Sequence, residues 1–481
     1  MVFSDLFFLF VFLPLFACCY LLGALLDRRV LSRKGEADVF HARNSVLVVF
    51  SLLFYAWGEP VYVFLMLVSV LVNWLVGRRL TAVRHPKLLL AVGIAFNIAI
   101  IGTFKYLGFF AEILNDLGLR VGAPNIALPI GISFYTFQSI SYLVDVYRHE
   151  SPAQRRYRDL LLYISMFPQL IAGPIVRYGT IAENINNRRV QASDMAEGMF
   201  RFAIGLGKKV IIANQLSSIS DQMLAGSFDT LTTTGSWVGL LAFTLQIYFD
   251  FSGYSDMAIG MGRCLGFRFN ENFNHPYCCD SVTDFWRRWH ISLGSFFRDY
   301  VYIPMGGNRR HQPINILVVW FLTGMWHGAC WNFIIWGLYF GLIIMIEKYT
   351  VLRIKRFIPS LLLHIYSLLI VITGWGIFYF TDFGRMTDFF GIYFGTTGTF
   401  HDFLTFSILS DHFYLWLLAL LFCLPLRQWT NTLTLKLTHG PSTTYHNLVL
   451  LSRLAVTVVV FALSIVLLVG ATNNPFLYTR F

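Results

Sequence analysis

Long runs of apolar residues recur along this 481-residue chain and dominate its pattern. Several reach the roughly 20 residues that a helix needs to cross the hydrocarbon core of a bilayer. The regular runs are Leu6–Leu26, Asn44–Trp57, Val61–Gly77, Leu88–Phe104, Ile126–Val146, Leu361–Phe380, Phe413–Leu426 and Leu448–Ala471. A membrane β-barrel would show short segments of alternating polarity instead. The pattern therefore predicts an all-α polytopic membrane protein with roughly eleven transmembrane helices.

Basic residues orient the first part of the chain. Clusters of Arg and Lys follow the first run, the hairpin of the next two runs, and the run that ends at Val146. Cytoplasmic loops carry such an excess of positive charge, which places Met1 outside and predicts a multi-pass membrane protein. These loops also account for the net charge of +11. The charge therefore indicates contact with membrane lipid and gives no reason to expect nucleic acid as a partner.

Composition agrees with this class. Hydrophobic residues make up 56% of the chain and charged residues only 13%, which is about half the charged fraction of soluble domains. The seven cysteines show no CxxC pair and no spacing typical of metal ligands. Neither disulfides nor a metal site are predicted.

The stretch 159–346 departs from the regular pattern. Its apolar segments are short, are interrupted at Gly173 and Pro174, and carry charges such as Lys208 and Lys209. Irregular backbone survives at membrane depth only where protein covers it or where it lines a cavity. We therefore expect re-entrant or broken helices that form the working core of a single membrane-embedded domain. Within it, residues 1–158 are N-terminal spans, 159–346 the catalytic core, 347–471 C-terminal spans and 472–481 an extracytoplasmic tail.

His327 lies within the apolar run from about Ile314 to Ile346, beside Trp326. A ring nitrogen at bilayer depth needs a partner or a wet cavity, so it is a candidate functional residue. Gly324, about one helical turn before it, and Gly328, the next residue, would leave room for a substrate. A core histidine bonded to the carbonyl of a neighbouring helix is an equally good interpretation from this segment alone.

A second histidine lies in Asp284–Leu293, which has helical periodicity with Asp284 or Thr283 as N-cap. One face carries Trp286, His290, Leu293 and Phe297. An amphipathic helix at the membrane surface explains this pattern, with its arginines on lipid headgroups. The alternative is that Arg287 and Arg288 hold a phosphate-bearing cosubstrate.

Several long motifs resemble the membrane-bound O-acyltransferase family, in the branch that serves alginate O-acetylation. They are Tyr248–Met261 (YFDFSGYSDMAIGM), Asp284–Leu293 (DFWRRWHISL), Arg298–Arg309 (RDYVYIPMGGNR), Gly324–Ala329 (GMWHGA), Leu128–Tyr135, Ser141–Arg148 and Met166–Pro174. The resemblance implies a funnel-shaped helical fold that carries acyl groups from cytoplasmic acyl-CoA to a hydroxyl acceptor. The family's catalytic histidine corresponds to His327, and its second polar position to His290. The chemistry agrees, because acyl transfer to oxygen needs a base that takes the hydroxyl proton.

Other polar residues of these motifs have open roles. Arg287, Arg288, Arg309 and Arg310 are candidates for the phosphates of acetyl-CoA, because an arginine fork matches phosphate geometry. Asp250 and Asp256 either orient a histidine and polarise the funnel wall, or cap or break a helix. Asn308 follows two glycines that either let backbone approach a ligand or form the turn of a re-entrant loop.

The sequence Pro475–Phe481 has the pattern Phe-x-Tyr-x-x-Phe and resembles the terminal motif of a small peptide partner in teichoic-acid D-alanylation. One hypothesis is that the Tyr478 hydroxyl receives the acetyl group and passes it to an extracytoplasmic partner. The alternative is an aromatic segment that anchors at the membrane interface.

Taken together, the sequence predicts a membrane O-acyltransferase for O-acetylation of an extracytoplasmic polysaccharide such as alginate. Acetyl-CoA is the expected donor, and an extracytoplasmic acetyltransferase or esterase-like protein the expected partner. Peptidoglycan or cellulose O-acetylation and D-alanyl transfer to teichoic acid are alternatives. A transporter of lipid-linked sugars is a different class, and it predicts an internal repeat that we do not find.

Overall fold

The computed structural model describes residues 1–32, 40–122, 126–396, 399–437, 443–471 and 477. Helices make up the regular structure of these residues, and none of them lies in a strand. The predicted all-α class is therefore confirmed.

The α-helices of the described residues are numbered in chain order. The first eleven are α1 (Leu13–Ser32), α2 (His41–Gly58), α3 (Tyr62–Leu80), α4 (Pro86–Ile101), α5 (Leu107–Asp116), α6 (Ile132–Tyr147), α7 (Tyr157–Ser165), α8 (Phe167–Leu170), α9 (Tyr178–Asn186), α10 (Ala192–Gly207) and α11 (Asn214–Leu224). The others are α12 (Thr233–Cys264), α13 (Val282–Arg288), α14 (Ile291–Phe297), α15 (Gln312–His327), α16 (Trp331–Tyr349), α17 (Val351–Ile354), α18 (Ser360–Tyr379), α19 (Phe383–Tyr393), α20 (Phe403–Asp411), α21 (Phe413–Cys423), α22 (Leu426–Leu437) and α23 (Thr443–Val469). π-Helical turns occur at Phe8–Phe12, Gly102–Tyr106, Lys208–Ala213 and Arg298–Tyr302.

Six helical stretches of the described residues are long and apolar enough to cross a membrane. They are Phe8–Arg29, Tyr62–Leu80, Pro86–Asp116, Trp331–Phe357, Ser360–Tyr379 and Tyr445–Val469, and the bent pair α20–α21 makes a seventh. The chain is thus a multi-pass membrane protein, but the predicted count of roughly eleven is not confirmed. One predicted span illustrates the difference: α6 has only 16 residues and buries polar side chains such as Gln138 and Asp145.

The chain folds as two compact units. Unit 1 comprises residues 1–202 and 255–270, and unit 2 comprises residues 203–254 and 271–481. The single domain with four stretches that the sequence suggests stays a prediction.

Unit 1 joins its helices through buried polar contacts. The Asn73 and Asn97 amides of α3 and α4 bond reciprocally at 3.1 and 2.7 Å. Such side-chain pairs hold helices together where no water is present. Near the start of α2, Arg158 donates to the His41 carbonyl at 3.3 Å. The basic segment after the first apolar run and the one after Val146, which were predicted to lie on the same membrane face, are therefore in contact.

Unit 2 contains a tight helical hairpin, α15–α16, which positions His327. A Cβ atom at Gly324 would collide with the Phe333 carbonyl, and one at Gly337 with the Trp320 carbonyl. A Cβ atom at Gly328 would collide with the Phe333 ring. The expectation that Gly324 and Gly328 leave room for a substrate is therefore wrong, because these positions are filled by the neighbouring helix. Glycine here allows two helix backbones to touch.

Candidate active site

His327 is the last residue of α15, and its ring is buried among aromatic side chains. The residue is 8% exposed, and its ring centroid lies 4.8 Å from Trp326, 5.0 Å from Trp336 and 5.1 Å from Phe378. All three neighbours meet it edge to face. The ring thus lies in the last turn of α15, at the helix end that carries partial negative charge.

His290 lies in a break between two short helices. Helix α13 begins after Ser281, whose hydroxyl accepts the Asp284 N–H at 3.0 Å, and it ends at Arg288. His290 then has the left-handed backbone angles φ 43° and ψ 52°, and α14 begins at the next residue. The predicted continuous helix with Asp284 or Thr283 as N-cap is therefore wrong. A positive φ is uncommon outside glycine, and histidine adopts it more readily than most residues. In the described residues His149, His275 and His311 share it with His290.

Asn272 fixes the His290 ring. The Asn272 side-chain oxygen lies 3.1 Å from His290 Nδ1, and it accepts the Ser292 hydroxyl at 2.8 Å and the Ser292 backbone N–H at 3.2 Å. A backbone N–H only donates, so the Asn272 atom that it meets is the amide oxygen. His290 Nδ1 must therefore carry the hydrogen, and the lone pair lies on Nε2.

The surroundings keep the His290 ring neutral. The residue is only 2% exposed and lies outside the candidate membrane spans. Burial lowers its pKa below the ordinary histidine value, because a charged imidazolium is poorly solvated there. The ring therefore remains a neutral base at physiological pH.

The indole of Trp326 brings the two histidines together. Its ring centroid lies 4.8 Å from that of His327 and 5.5 Å from that of His290. Phe251 of α12 also packs against His290, with its ring perpendicular to the imidazole and the two ring centroids 4.7 Å apart. Residues that are 37 positions apart in sequence thus share one buried aromatic site.

Glu347, which the sequence analysis did not select, holds the start of α13. It is fully buried in α16, and its carboxylate accepts the Val282 and Thr283 backbone N–H groups, each at 2.7 Å. A carboxylate is favoured at the positive N-terminal end of a helix. The signal was available, since an acidic residue inside an apolar run is a functional or structural site by default.

The two acidic residues of the YFDFSGYSD motif have cationic partners. Asp250 lies 2.7 Å from Lys209 in unit 2, and Asp256 lies 2.8 Å from Arg201 in unit 1. Helix α12 runs through both positions without interruption. The alternative that Asp250 caps or breaks a helix is therefore wrong.

The candidate phosphate-binding residues lie at the surface of unit 2. Arg287, Arg309 and Arg310 are exposed, whereas Arg288 is half-buried and pairs with Asp284 at 2.8 Å. Asn308 organises the loop between them, since its side-chain oxygen accepts Tyr302 at 2.7 Å and Lys348 at 3.2 Å.

Lys348 extends this basic surface. Its ammonium group interacts electrostatically with Arg287 and donates a hydrogen bond to Asn308, which precedes Arg309. Lys348 therefore connects the arginine of α13 with the arginines of the loop. Gly306 and Gly307 have φ of 109° and 54° and form the turn that leads into α15. Of the two roles predicted for these glycines, the approach of backbone to a ligand and the turn of a loop, the backbone angles match the turn.

Tyr478, the predicted acyl relay, lies outside the described residues. The residue before it, Leu477, is described, and its backbone N–H donates to Asp250 at 2.8 Å.

Unit 1 contains a cleft of about 790 Å³, which is lined by residues such as Gln154, Arg156 and Asn186. None of the predicted site residues lines it.

Comparison with known proteins gives a consistent result. Residues 154–388 match the model of the membrane-bound O-acyltransferase family. A probable alginate O-acetylase of Pseudomonas aeruginosa is 40% identical over 390 residues, which cover 79% of this chain and 72% of the relative. Its counterpart in Azotobacter vinelandii is 42% identical over 79% of this chain and 75% of the relative. A peptidoglycan O-acetyltransferase of Helicobacter pylori is 35% identical over 70% of this chain and 69% of the relative.

The hydrogen bonds of Asn272 lead to a stability prediction. Asn272→Leu removes the acceptor of three buried donors, each of which costs roughly 1–3 kcal/mol when unsatisfied, so we expect the free energy of unfolding to fall by at least about 3 kcal/mol. The measurement is thermal unfolding of purified protein in detergent. Asn274→Leu, at an exposed position two residues away, is the control. Equal stability of the two variants would contradict the assigned contacts.

Proposed function

Because the chain belongs to the membrane-bound O-acyltransferase family, we propose that it moves acetyl groups from cytoplasmic acetyl-CoA across the bacterial inner membrane to O-acetylate an extracytoplasmic polysaccharide such as alginate. The names of its alginate and peptidoglycan relatives support an acetyl group and a glycan acceptor. An extracytoplasmic acetyltransferase or esterase-like protein completes the transfer in this proposal.

The observation that carries this proposal is the contact of Trp326 with both His327 and His290. Two buried imidazoles on one indole form a site that can accept a proton and that excludes water. Exclusion of water matters for an acyltransferase, because water competes with the acceptor hydroxyl for the acyl group.

In the proposed reaction, His327 takes the proton of the acceptor hydroxyl while the oxygen attacks the thioester carbonyl. The carbon–oxygen bond forms, the carbon–sulfur bond breaks, and the leaving thiolate receives the proton from the histidine. The C-terminal end of α15 stabilises the transient imidazolium. His290, neutral and with its lone pair on Nε2, offers a second acceptor that can align the hydroxyl. Trp326 holds both rings in place.

The donor's phosphates are proposed to bind the surface around Asn308. Arg287, Arg309 and Arg310 are exposed there, and Lys348 adds a fourth cation. Arg288 is a weaker candidate, because its guanidinium already pairs with Asp284. Exposed cations suit coenzyme A, since its charged end stays in water while the acetyl group enters the protein.

Tyr478 is proposed as the residue that carries the acetyl group from the histidine site toward the partner protein. Its hydroxyl would be the acceptor in the reaction above, so the product is an acetyl ester of tyrosine and free thiol. Support comes from the neighbouring residue, because Leu477 bonds Asp250, and the residue after Asp250 packs against His290.

The alternatives differ in donor, in acceptor or in class. D-alanyl transfer to teichoic acid would use the same histidines with a carrier-protein thioester as donor. Peptidoglycan or cellulose would change only the acceptor. A transporter of lipid-linked sugars would release no thiol from acetyl-CoA, which separates it from every acyltransferase.

His327→Ala is expected to lower glycan O-acetylation by about 10²–10⁴-fold, the usual contribution of a general base. The measurement is the acetyl content of the polysaccharide in a deletion strain complemented at matched membrane levels. His401→Ala, which removes an exposed histidine, is the control. Normal acetylation by His327→Ala would rule out its assignment as the base. A loss in His290→Ala as well would assign chemistry to the second ring.

Arg287→Ala is expected to raise the KM for acetyl-CoA by about tenfold and to leave kcat nearly unchanged. A phosphate contact is made equally in the ground and transition states, and a charge-assisted hydrogen bond contributes roughly 1.5–3 kcal/mol. Thiol release from acetyl-CoA by purified protein is the assay. Arg298→Ala is the control, because that exposed arginine pairs with Asp299 at 2.7 Å. A fall in kcat alone would contradict a role in donor binding.

Tyr478→Phe is expected to abolish glycan acetylation, because it removes the hydroxyl that accepts the acetyl group. Mass spectrometry of the wild-type peptide that contains Tyr478 should detect its acetyl ester. Tyr414→Phe, at a highly exposed tyrosine, is the control. Unchanged glycan acetylation by Tyr478→Phe would reject the relay and leave the aromatic anchor as the role of this segment.

A further inference from the structure

Unit 2 contains an ion pair that is almost completely removed from solvent. Lys209 Nζ lies 2.7 Å from Asp250 Oδ1, and the two side chains are only 4% and 3% exposed. Taking both charges out of water costs several kcal/mol each, so a buried pair seldom stabilises a fold more than apolar residues would. Its presence therefore calls for a role beyond stability.

Local backbone geometry brings the two residues together. Lys209 belongs to the π-helical turn Lys208–Ala213, and Asp250 lies in the middle of α12. A Cβ atom at Gly253 would lie 2.7 Å from the Gly205 carbonyl oxygen and 3.2 Å from the backbone nitrogen of Lys209. Glycine at position 253 thus lets α12 approach close enough for the ion pair to form. This explains the glycine in the YFDFSGYSD motif.

The second carboxylate oxygen of Asp250 binds a different part of unit 2. It accepts the backbone N–H of Leu477 at 2.8 Å, and the Leu477 side chain is itself only 5% exposed. The pair thus offers one oxygen to a lysine and the other to a peptide N–H group. A charged acceptor makes this hydrogen bond stronger than one between neutral groups.

We infer that the Lys209–Asp250 pair is the binding site for the peptide segment that contains Leu477, which it holds through the Leu477 backbone N–H. The ligand is a stretch of this chain, selected by its backbone donor and by an apolar side chain. Lysine neutralises the carboxylate, so that it can remain buried and ionised. Asp250 and Lys209 are therefore positioning residues.

The location of this binding site connects it to the histidines. Phe251 follows Asp250 in α12, and its ring packs against His290 at 4.7 Å. Tyr478 follows Leu477 in the sequence. In this extension, which rests on the proposed function, the ion pair anchors Leu477, the residue that precedes the proposed acyl carrier.

Hydrogen–deuterium exchange of the full-length protein in detergent tests the binding site without any chemistry. Overlapping C-terminal peptides isolate the Leu477 amide, which should exchange slowly in the wild type. Lys209→Met combined with Asp250→Leu replaces the pair by apolar residues and removes the acceptor. We expect this double variant to exchange the amide at least about tenfold faster, as the loss of a charged hydrogen bond implies.

A matched control is available in the same helix. Arg201→Met combined with Asp256→Leu removes the ion pair of unit 1 and should leave exchange at Leu477 as in the wild type. Rapid exchange of this amide in the wild type would overturn the inference. Slow exchange in the Lys209–Asp250 double variant would overturn it as well.

Variants of Leu477 itself leave the ion pair intact and so avoid misfolding of the interior. Leu477→Pro removes the backbone N–H, whereas Leu477→Ala keeps it. We expect Leu477→Pro to lower glycan acetylation about tenfold more than Leu477→Ala does. Equal acetylation by these variants, with slow wild-type exchange, would support the binding site and reject its contribution to acyl transfer, while the relay itself is tested by Tyr478→Phe.

Discussion

Polar groups that lie away from water need partners within the protein, and this requirement shapes the candidate site of unit 2. Buried carboxylates and amides are costly unless they are bonded. Glu347 is bonded by the start of α13, and Asn272 by His290 and Ser292. Each bond also fixes the position of a site element. The contacts that make burial tolerable therefore also position the histidines.

Interruptions of regular helix serve the same purpose. The break at His290 turns its ring toward Asn272, and the end of α15 places His327 where a helix terminus favours a positive charge. Neither position belongs to the interior of a helix. A continuous helix would instead direct successive side chains around its axis. The site thus depends on where the helices stop as much as on where they run.

The sequence predicted the helical class and the family, because apolar runs and long motifs are strong local signals. It also selected His290 and His327, whose rings both contact Trp326, while their catalytic role stays a prediction. It did not predict the break at His290, since the periodicity of Asp284–Leu293 continues across it. Gly324 and Gly328 were misinterpreted, because sequence does not tell whether a missing side chain makes room for a ligand or for a helix. Asn272 was missed for a related reason. Its role depends on a contact between residues that are 18 positions apart, with helix α13 between them.

The distribution of charge in unit 2 also fits the transfer of an acetyl group that we propose. Exposed cations lie around Asn308, while the histidine site consists of aromatic rings and a neutral imidazole. An acetyl ester carries no net charge, so it can enter such a site without the desolvation cost that a phosphate would incur. The charged part of the donor can remain at the surface, where water and basic side chains stabilise it. The division between a wet, basic surface and a dry, aromatic histidine site thus matches the two ends of the acyl thioester in the proposed reaction.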